Sequence, residues 1–442
     1  MKASTTYNNN TAVGHLTLEN SLNGDNTAIG WSALNANTTG QGNIAIGKSA
    51  LVLNTTGNTN TGIGRDALGK NLIGGDNVAI GSMALSENTA SNNNALGTSS
   101  MLNNSTGTNN NAFGFESIYN NTTGSSNLGI GNGAIKSNKA NSGSVAIGHN
   151  AMYYADDRTS GRTTGNTAVG FESLKGSNTA ANNTGQYNTA VGYNTMVQNT
   201  SGSGNSAFGV GSLNANTTGA YNTALGQSAL GVNTLGDYNV GIGYQSLVHN
   251  TTNDFNVAIG GRDALFTNIT GGNNIAIGTS ALYNTDANNN TAIGHDAGYS
   301  NTSGSNNIFI GQSSTLSSAT ISNQTIIGNS STTNAEIKGT LKSNGQILAL
   351  TTKTANYTVL TSDEIITGDA TSGIFTITLP TAVGVTGQTY TIKRINSGGN
   401  AVTVGTTSSQ TIDGITTYAL SAQYKYVKVA SDGANWIIIG NN

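Results

Sequence analysis

Apolar and polar residues follow one short pattern along most of the chain. The pattern is Asn-x-Ala-(Ile/Val/Leu/Phe)-Gly, and its last residue, here called the marker glycine, occurs in 19 copies. Of the 18 spacings, twelve are 17 residues, three are 16, one is 18 and two are 22. Stacked coils tolerate the extra residues of the longer spacings, because each coil must stay in register only with its neighbours. The marker glycines lie at positions 14, 30, 47, 64, 81, 97, 114, 131, 148, 170, 192, 209, 226, 243, 260, 278, 294, 311 and 328.

Two apolar columns run through these repeats. The residue before the marker glycine is apolar in all 19 copies, and β-branched side chains flanked by Gly and Asn favour a strand over a helix. A second column lies four residues after the glycine, as in Leu34, Leu51 and Leu68. We expect two short strands per coil around one core. The predicted fold is therefore all-β: a parallel β-solenoid, or β-roll, of about 17-residue coils.

Asparagine is concentrated at two positions of the repeat. It lies four residues before the marker glycine in 17 of 19 copies. A second Asn, seven residues after the glycine, opens turns such as 37–40. Side-chain amides stacked at the strand spacing of about 4.8 Å can hydrogen-bond along the stack. The sequence therefore predicts asparagine ladders.

The position two residues before the marker glycine is Ala or Gly in 17 of 19 copies. Strand side chains alternate between faces, so this residue should point outward if its apolar neighbour points into the core. An outer face restricted to small residues indicates close packing against another copy of the chain. The alternative is a coil so thin that both faces are internal. The predicted trimer-interface residues are Ala12, Ala28, Ala45, Gly62, Ala79, Ala95, Ala112, Gly129 and Ala146.

Pentapeptides such as those at 144–148 and 256–260 resemble the head repeats of YadA-type trimeric autotransporter adhesins. The resemblance covers roughly residues 8–330 and implies a left-handed parallel β-roll whose three chains pack side by side. From about Lys353 onward, the chain resembles the C-terminal β-domain of phage tail fibres, through the motifs at 376–380 and 431–436.

Three regions are predicted from these patterns. Residues 1–328 form the solenoid stalk, 329–345 a transition segment without the marker motif, and 346–442 a small antiparallel β-sandwich, the tip or cap. Alternating apolar runs between clusters of Gly, Asn, Asp and Ser are typical of such a sandwich. Trp436 is expected in its core.

Composition narrows the possible functions. Only 8% of residues are charged, the net charge is −3, and cysteine is absent. With no basic stripe, nucleic acid is not an expected partner. No apolar run reaches 18 residues, so we expect no membrane insertion, and the first seven residues do not predict a secretory signal.

Candidate catalytic and metal-binding residues are few. His15, His149 and His295 share the position after the marker glycine, but successive ones lie eight coils apart, about 40 Å at the strand spacing. The acidic pairs 156–157 and 363–364 are expected in solvated loops, although two carboxylates are what glycoside hydrolysis requires. We predict no enzymatic activity, no cofactor and no metal.

The two 22-residue spacings add loops at about 153–162 and 175–183, which should bulge from the same side. The first loop and the tip combine aromatic and charged groups suited to a receptor, although a plain surface loop is the alternative for the first. The candidate receptor-contact residues are Tyr153, Tyr154, Asp156, Asp157, Arg158, Tyr418, Tyr424, Lys425 and Tyr426.

The sequence thus predicts a structural, receptor-binding, tail-fibre-like protein of a phage or phage-like particle, acting as a homotrimeric rod. Its expected location is the virion or the extracellular cell surface. Expected partners are its own copies, a host cell-surface glycan or protein, and baseplate or other fibre subunits. One alternative is a bacterial cell-surface adhesin or appendage subunit, which would need an export signal. Another is an ice-binding solenoid, which the irregular Thr positions disfavour.

Overall fold

A computed structural model describes residues 9–332 and 350–442. These residues fall into two compact units, one within 1–335 and the other within 336–442. The expected transition segment 329–345 lies mostly outside the described residues. Strands and turns build both units, and the first also contains a short 3-10 helix, Ala180–Asn182. Within the described ranges, no helix has the length and apolar character needed to cross a membrane.

The first unit is a parallel β-solenoid, as predicted. Nineteen short strands stack in chain order into one sheet, and each pairs in register with the next, as Ala45 does with Gly62. The strands β1–β19 are, in order, Thr11–Val13, Thr27–Ile29, Ile44–Ile46, Thr61–Ile63, Val78–Ile80, Asn94–Leu96, Asn111–Phe113, Leu128–Ile130, Val145–Ile147, Thr167–Val169, Thr189–Val191, Ser206–Phe208, Thr223–Leu225, Val240–Tyr244, Val257–Arg262, Ile275–Ile277, Thr291–Ile293, Ile308–Ile310 and Thr325–Ile327.

Each coil encloses a narrow interior filled by one small and one large side chain. In the third coil, Ala45 of β3 and Leu51 of the following turn are both 0% exposed. Their neighbour Ile46 faces outward. The predicted orientation of the strand is therefore wrong: the small residue points inward and the apolar residue before the marker glycine points outward. The interior has no room for two large groups, since a Cβ added to Gly62 would lie 3.3 Å from Leu51 Cγ.

This reversal also makes the predicted trimer-interface assignment wrong. Eight of the nine positions are buried inside a single chain, and Ala12 of the first coil is partly buried. A second rod cannot reach side chains enclosed by their own coil. The positions concerned are Ala12, Ala28, Ala45, Gly62, Ala79, Ala95, Ala112, Gly129 and Ala146.

The leucine column lies in turns and not in a second strand. Leu34, Leu51 and Leu68 have φ angles of 51°, 52° and 53°, in the left-handed region. That conformation costs a large side chain roughly 1–2 kcal/mol. Burial of a leucine stabilises by about 1.5–3 kcal/mol, which offsets this cost. Each described coil therefore has one strand where two were expected.

The marker glycine sets the distance between coils. Gly64 has φ +134°, a backbone conformation that only glycine adopts readily. A Cβ at this position would lie 2.4 Å from the carbonyl oxygen of Gly81 in the next coil. Close stacking of the coils therefore requires glycine at this corner.

Both predicted asparagine ladders are confirmed. Asn60 Nδ2 donates to Asn43 Oδ1 at 3.1 Å, and the backbone N–H of Asn60 donates to the same oxygen at 2.9 Å. In the second ladder, Asn54 Nδ2 donates to Asn37 Oδ1 at 3.0 Å. These four side chains are 0% exposed. The ladders therefore pair polar groups that burial would otherwise leave unsatisfied.

The second unit contains two sheets around one apolar core, in which Trp436 is 0% exposed. Its strands alternate between the sheets at first, so neighbours within a sheet run parallel, and only the last strands pair antiparallel. The sandwich is therefore mixed, where an antiparallel one was expected. The strands β20–β28 are Leu350–Lys353, Tyr357–Thr358, Ile365–Gly368, Phe375–Thr378, Thr389–Arg394, Val402–Gly405, Thr417–Leu420, Tyr426–Ser431 and Trp436–Asn441.

Candidate binding surfaces

An apolar surface follows the whole solenoid sheet. We call it the apolar β-face: the outward apolar side chains one residue before each marker glycine in β1–β19. The neighbouring outward column, three residues before the glycine, is apolar at eight positions and Thr, Ser or Asn at the other eleven. Ile80 is 37% exposed, Leu96 47% and Leu225 49%. The apolar residues before the glycine are Val13, Ile29, Ile46, Ile63, Ile80, Leu96, Phe113, Ile130, Ile147, Val169, Val191, Phe208, Leu225, Ile242, Ile259, Ile277, Ile293, Ile310 and Ile327.

No charged residue belongs to the apolar β-face in any of the nineteen coils. Charges begin at the next corner of the coil, where Lys48, Arg65 and Asp66 follow their marker glycines. At about 4.8 Å per strand, the face is roughly 85 Å long. Monomeric proteins rarely expose apolar patches of more than a few hundred Å², so a continuous apolar column of this length is unusual for an isolated chain.

The first insertion loop is held together by its own charges. The carboxylate of Asp156 is 1% exposed and accepts hydrogen bonds from Arg158 Nε at 2.9 Å and from an Arg162 terminal nitrogen at 3.1 Å. Burial alone would raise the pKa of Asp156, but the hydrogen bonds and charges of the two arginines lower it below the ordinary value. Asp156 and Arg158, both candidate receptor contacts, therefore form an ion pair with each other in the free chain.

The other candidates of this loop also have partners within the chain. The rings of Tyr153 and Tyr154 meet edge to face at 4.8 Å, and Lys136 Nζ lies 5.2 Å from the Tyr153 ring centre. Asp157 lies 3.9 Å from Lys139 Nζ. These contacts fix the loop against neighbouring coils, and the role of its residues in receptor binding stays a prediction.

The two insertions touch one another. Asn183 Nδ2 of the second insertion donates to the backbone carbonyl of Tyr154 in the first. The same amide donates to Ser177 O at 2.8 Å, and Ser177 N–H donates back to Asn183 Oδ1 at 2.9 Å. Both loops therefore lie on the same side of the solenoid, as the sequence predicts.

In the sandwich, the candidate residues divide into two groups. Tyr424 and Tyr426 line an open groove on the outer face of the five-stranded sheet, beside Lys393. Lys425 lies apart from this groove, with its Nζ 5.5 Å from the ring centre of Tyr418. Sequence reasoning missed Lys393, which the pairing of β24 with β27 places opposite Tyr426.

Asp363, the first residue of the acidic pair 363–364, is buried, where a solvated loop was expected. The Asp363 carboxylate is almost buried and accepts hydrogen bonds from the Tyr357 hydroxyl at 2.7 Å and from Leu360 N–H at 2.8 Å. Burial and the nearby Asp363 carboxylate raise the pKa of Tyr357. Across residues 9–332 and 350–442, no group of three or more His, Asp or Glu side chains is placed to hold a metal ion.

Comparison with models of known protein families and with curated proteins gives no match. The geometry of these surfaces therefore carries the functional argument.

Proposed function

We propose that this chain is a structural, receptor-binding fibre protein whose solenoid stalks assemble side by side into a homotrimer through the apolar β-face. The observation that carries the proposal is the column of outward, partly to half-exposed apolar side chains, without a charge, in all nineteen coils of a single chain. Only assembly, or another large apolar partner, would remove such a surface from water.

The length of the apolar β-face suits rod-to-rod contact. The two outward columns of the sheet, roughly 85 Å long and together about 7 Å wide, give close to 600 Å² per chain, or about 1,800 Å² in total for a trimer. Divided over three pairwise contacts this is about 600 Å² each, so the proposed assembly also uses the columns that flank the sheet to reach the roughly 1,200 Å² of a stable interface. Because the repeat places similar groups at each level, parallel copies in register match coil for coil.

The resemblances in sequence support the number of chains in the assembly and its location. YadA-type repeats assemble as trimers, and the C-terminal region resembles tail-fibre β-domains, so three stalks carrying three sandwiches form the proposed unit. Three identical binding domains raise affinity for a multivalent host surface. The virion of a phage or phage-like particle is the proposed location, with baseplate or other fibre subunits as neighbours. A bacterial surface adhesin is the second candidate, favoured by the repeats.

Charge introduced into the apolar β-face tests this proposal. In a parallel assembly, Lys at Ile147 and Leu225 would meet its own copies, and repulsion plus desolvation should separate the chains. The matched control places Lys at the exposed turn residues Thr123 and Thr218, outside the face. We expect sedimentation velocity to show single chains for I147K/L225K and unchanged assemblies for T123K/T218K. Assembly of both variants to the same extent would refute the assigned face.

A further inference from the structure

The groove on the outer face of the sandwich combines an exposed aromatic ring with positive charge. The residues that line it include Tyr424, Tyr426, Lys393, Thr391 and Ile365. The side chain of Tyr424 is 56% exposed, although a tyrosine ring gains stability when its apolar surface is buried. We infer that this groove binds an acidic oligosaccharide, one that carries uronate carboxylates on its sugar rings.

The backbone holds Tyr424 in place at some cost. Its φ is 62°, in the left-handed region that large side chains rarely occupy. Two backbone hydrogen bonds fix this turn to β24: Tyr424 N–H donates to Arg394 O at 2.9 Å, and Arg394 N–H donates to Lys425 O at 3.0 Å. These two bonds fix the position of the exposed ring beside the groove.

The charges around this ring select an anion. Lys393 Nζ lies 5.4 Å from the Tyr424 ring centre, and Lys428, on the strand paired with β24, is exposed opposite Thr391. Neither lysine forms an ion pair with another described residue, and none of the residues lining the groove is acidic. The groove is thus locally positive on a chain of net charge −3.

A sugar acid matches both features at once. The C–H face of a pyranose ring is apolar and packs flat on an aromatic side chain, while its carboxylate lies at the ring edge, within reach of an ammonium group. A nucleic acid would also stack and ion-pair, but its affinity depends on many phosphate contacts, which two lysines do not supply.

The inference rests on the proposed receptor contact, but not on assembly of the stalks. A chain that does not bind the saccharide would therefore still assemble to the same mass. A chain whose stalks do not assemble would still contain the groove. The two failures can be told apart in one preparation.

The test uses the full chain and isothermal titration calorimetry with a short oligogalacturonate. Its fully methyl-esterified form is the matched neutral ligand. We expect the charged form to bind and the ester to bind about tenfold more weakly, because it lacks the ion pair. Lys393→Met and Tyr424→Ala should each lose about tenfold for the charged form. The control variants Lys48→Met and Tyr187→Ala remove an exposed lysine and an exposed tyrosine from the solenoid and should bind like the unmodified chain.

Three results would overturn the inference. They are the absence of oligogalacturonate binding at millimolar concentration, equal affinity for the ester, and unchanged binding by K393M. An oligothymidylate of equal charge that binds as tightly as oligogalacturonate would assign the groove to nucleic acid instead.

Discussion

The ring of Phe309 fills the space that a missing side chain leaves at Gly298. Gly298 stands in the leucine column, with φ +65°, and a Cβ added there would lie 2.8 Å from Phe309 Cδ2. Phe309 itself stands in the column of small residues and is 0% exposed. Two neighbouring coils have therefore exchanged the large and the small residue of this contact, which elsewhere joins a leucine such as Leu51 to a small residue such as Gly62 of the next coil.

This exchange predicts that the two positions compensate. Phe309→Ala should lower the local free energy of unfolding by about 3–5 kcal/mol by opening a cavity. Gly298→Leu alone should cost about 1–3 kcal/mol by overpacking against Phe309. The double variant restores the pattern of the other coils and should recover most of the loss. Hydrogen exchange of the amides in β17 and β18 measures all three, and additive losses in the double variant would contradict the exchange.

The asparagine ladder should be sensitive at a single link. Asn60→Ala removes the acceptor for the Asn77 backbone N–H, held at 3.1 Å, and the donor to Gly74 O, held at 2.9 Å. Leaving these buried groups unpaired should cost about 2–4 kcal/mol. Hydrogen exchange in β3–β5 measures the cost. The exposed Asn132→Ala is the matched control, expected within about 0.5 kcal/mol of the unmodified chain. Equal protection in both variants would show that the ladder contributes no stability.

The first insertion loop should loosen in acid. The pKa of Asp156 is lowered in the folded chain, so its contribution to stability is present above the ordinary value of about 3.9. That contribution is lost as the pH falls through the lowered folded pKa. We expect hydrogen exchange in 153–164 to show the loop opening between about pH 5 and about pH 2.

Asp156→Asn is the control for this titration, because it keeps the shape of the side chain and removes the charge. Its loop should be less protected at neutral pH by about 1–2 kcal/mol, since Arg162 is largely buried and loses its counter-charge. Its protection should not change further in acid. A pH dependence equal to that of the unmodified chain would assign the transition to another group.

The period, the strand and both asparagine ladders could be predicted because each follows from a pattern within one coil. The pattern within one coil also indicates which face of the strand is buried. Asn60 and Gly62 stand two residues apart, so their side chains lie on the same face of the strand. A position is restricted to Asn in coil after coil only where the stacked amides are buried, and this places the shared face inside the coil. The variable position between them, as at Thr61, belongs to the outer face with Ile63. The apolar column that contains Ile63 predicts the opposite orientation, because the apolar face of a strand is usually the buried one.

The sandwich was less accessible to prediction because its contacts join distant segments. An alternating strand such as Thr389–Arg394 has the same pattern whether its neighbours run parallel or antiparallel. The pairing of Lys393 with Tyr426 depends on the register between β24 and β27, which nothing local to either strand specifies. The groove was therefore visible in the sequence only as separate tyrosines and lysines.

The mass of the intact protein in solution tests most directly whether the apolar β-face joins copies of this chain. One chain has a mass of 44.7 kDa. Light scattering after size-exclusion chromatography at micromolar concentration should give about three times that value. A mass of 44.7 kDa at every concentration measured would contradict the assembly of stalks into a fibre.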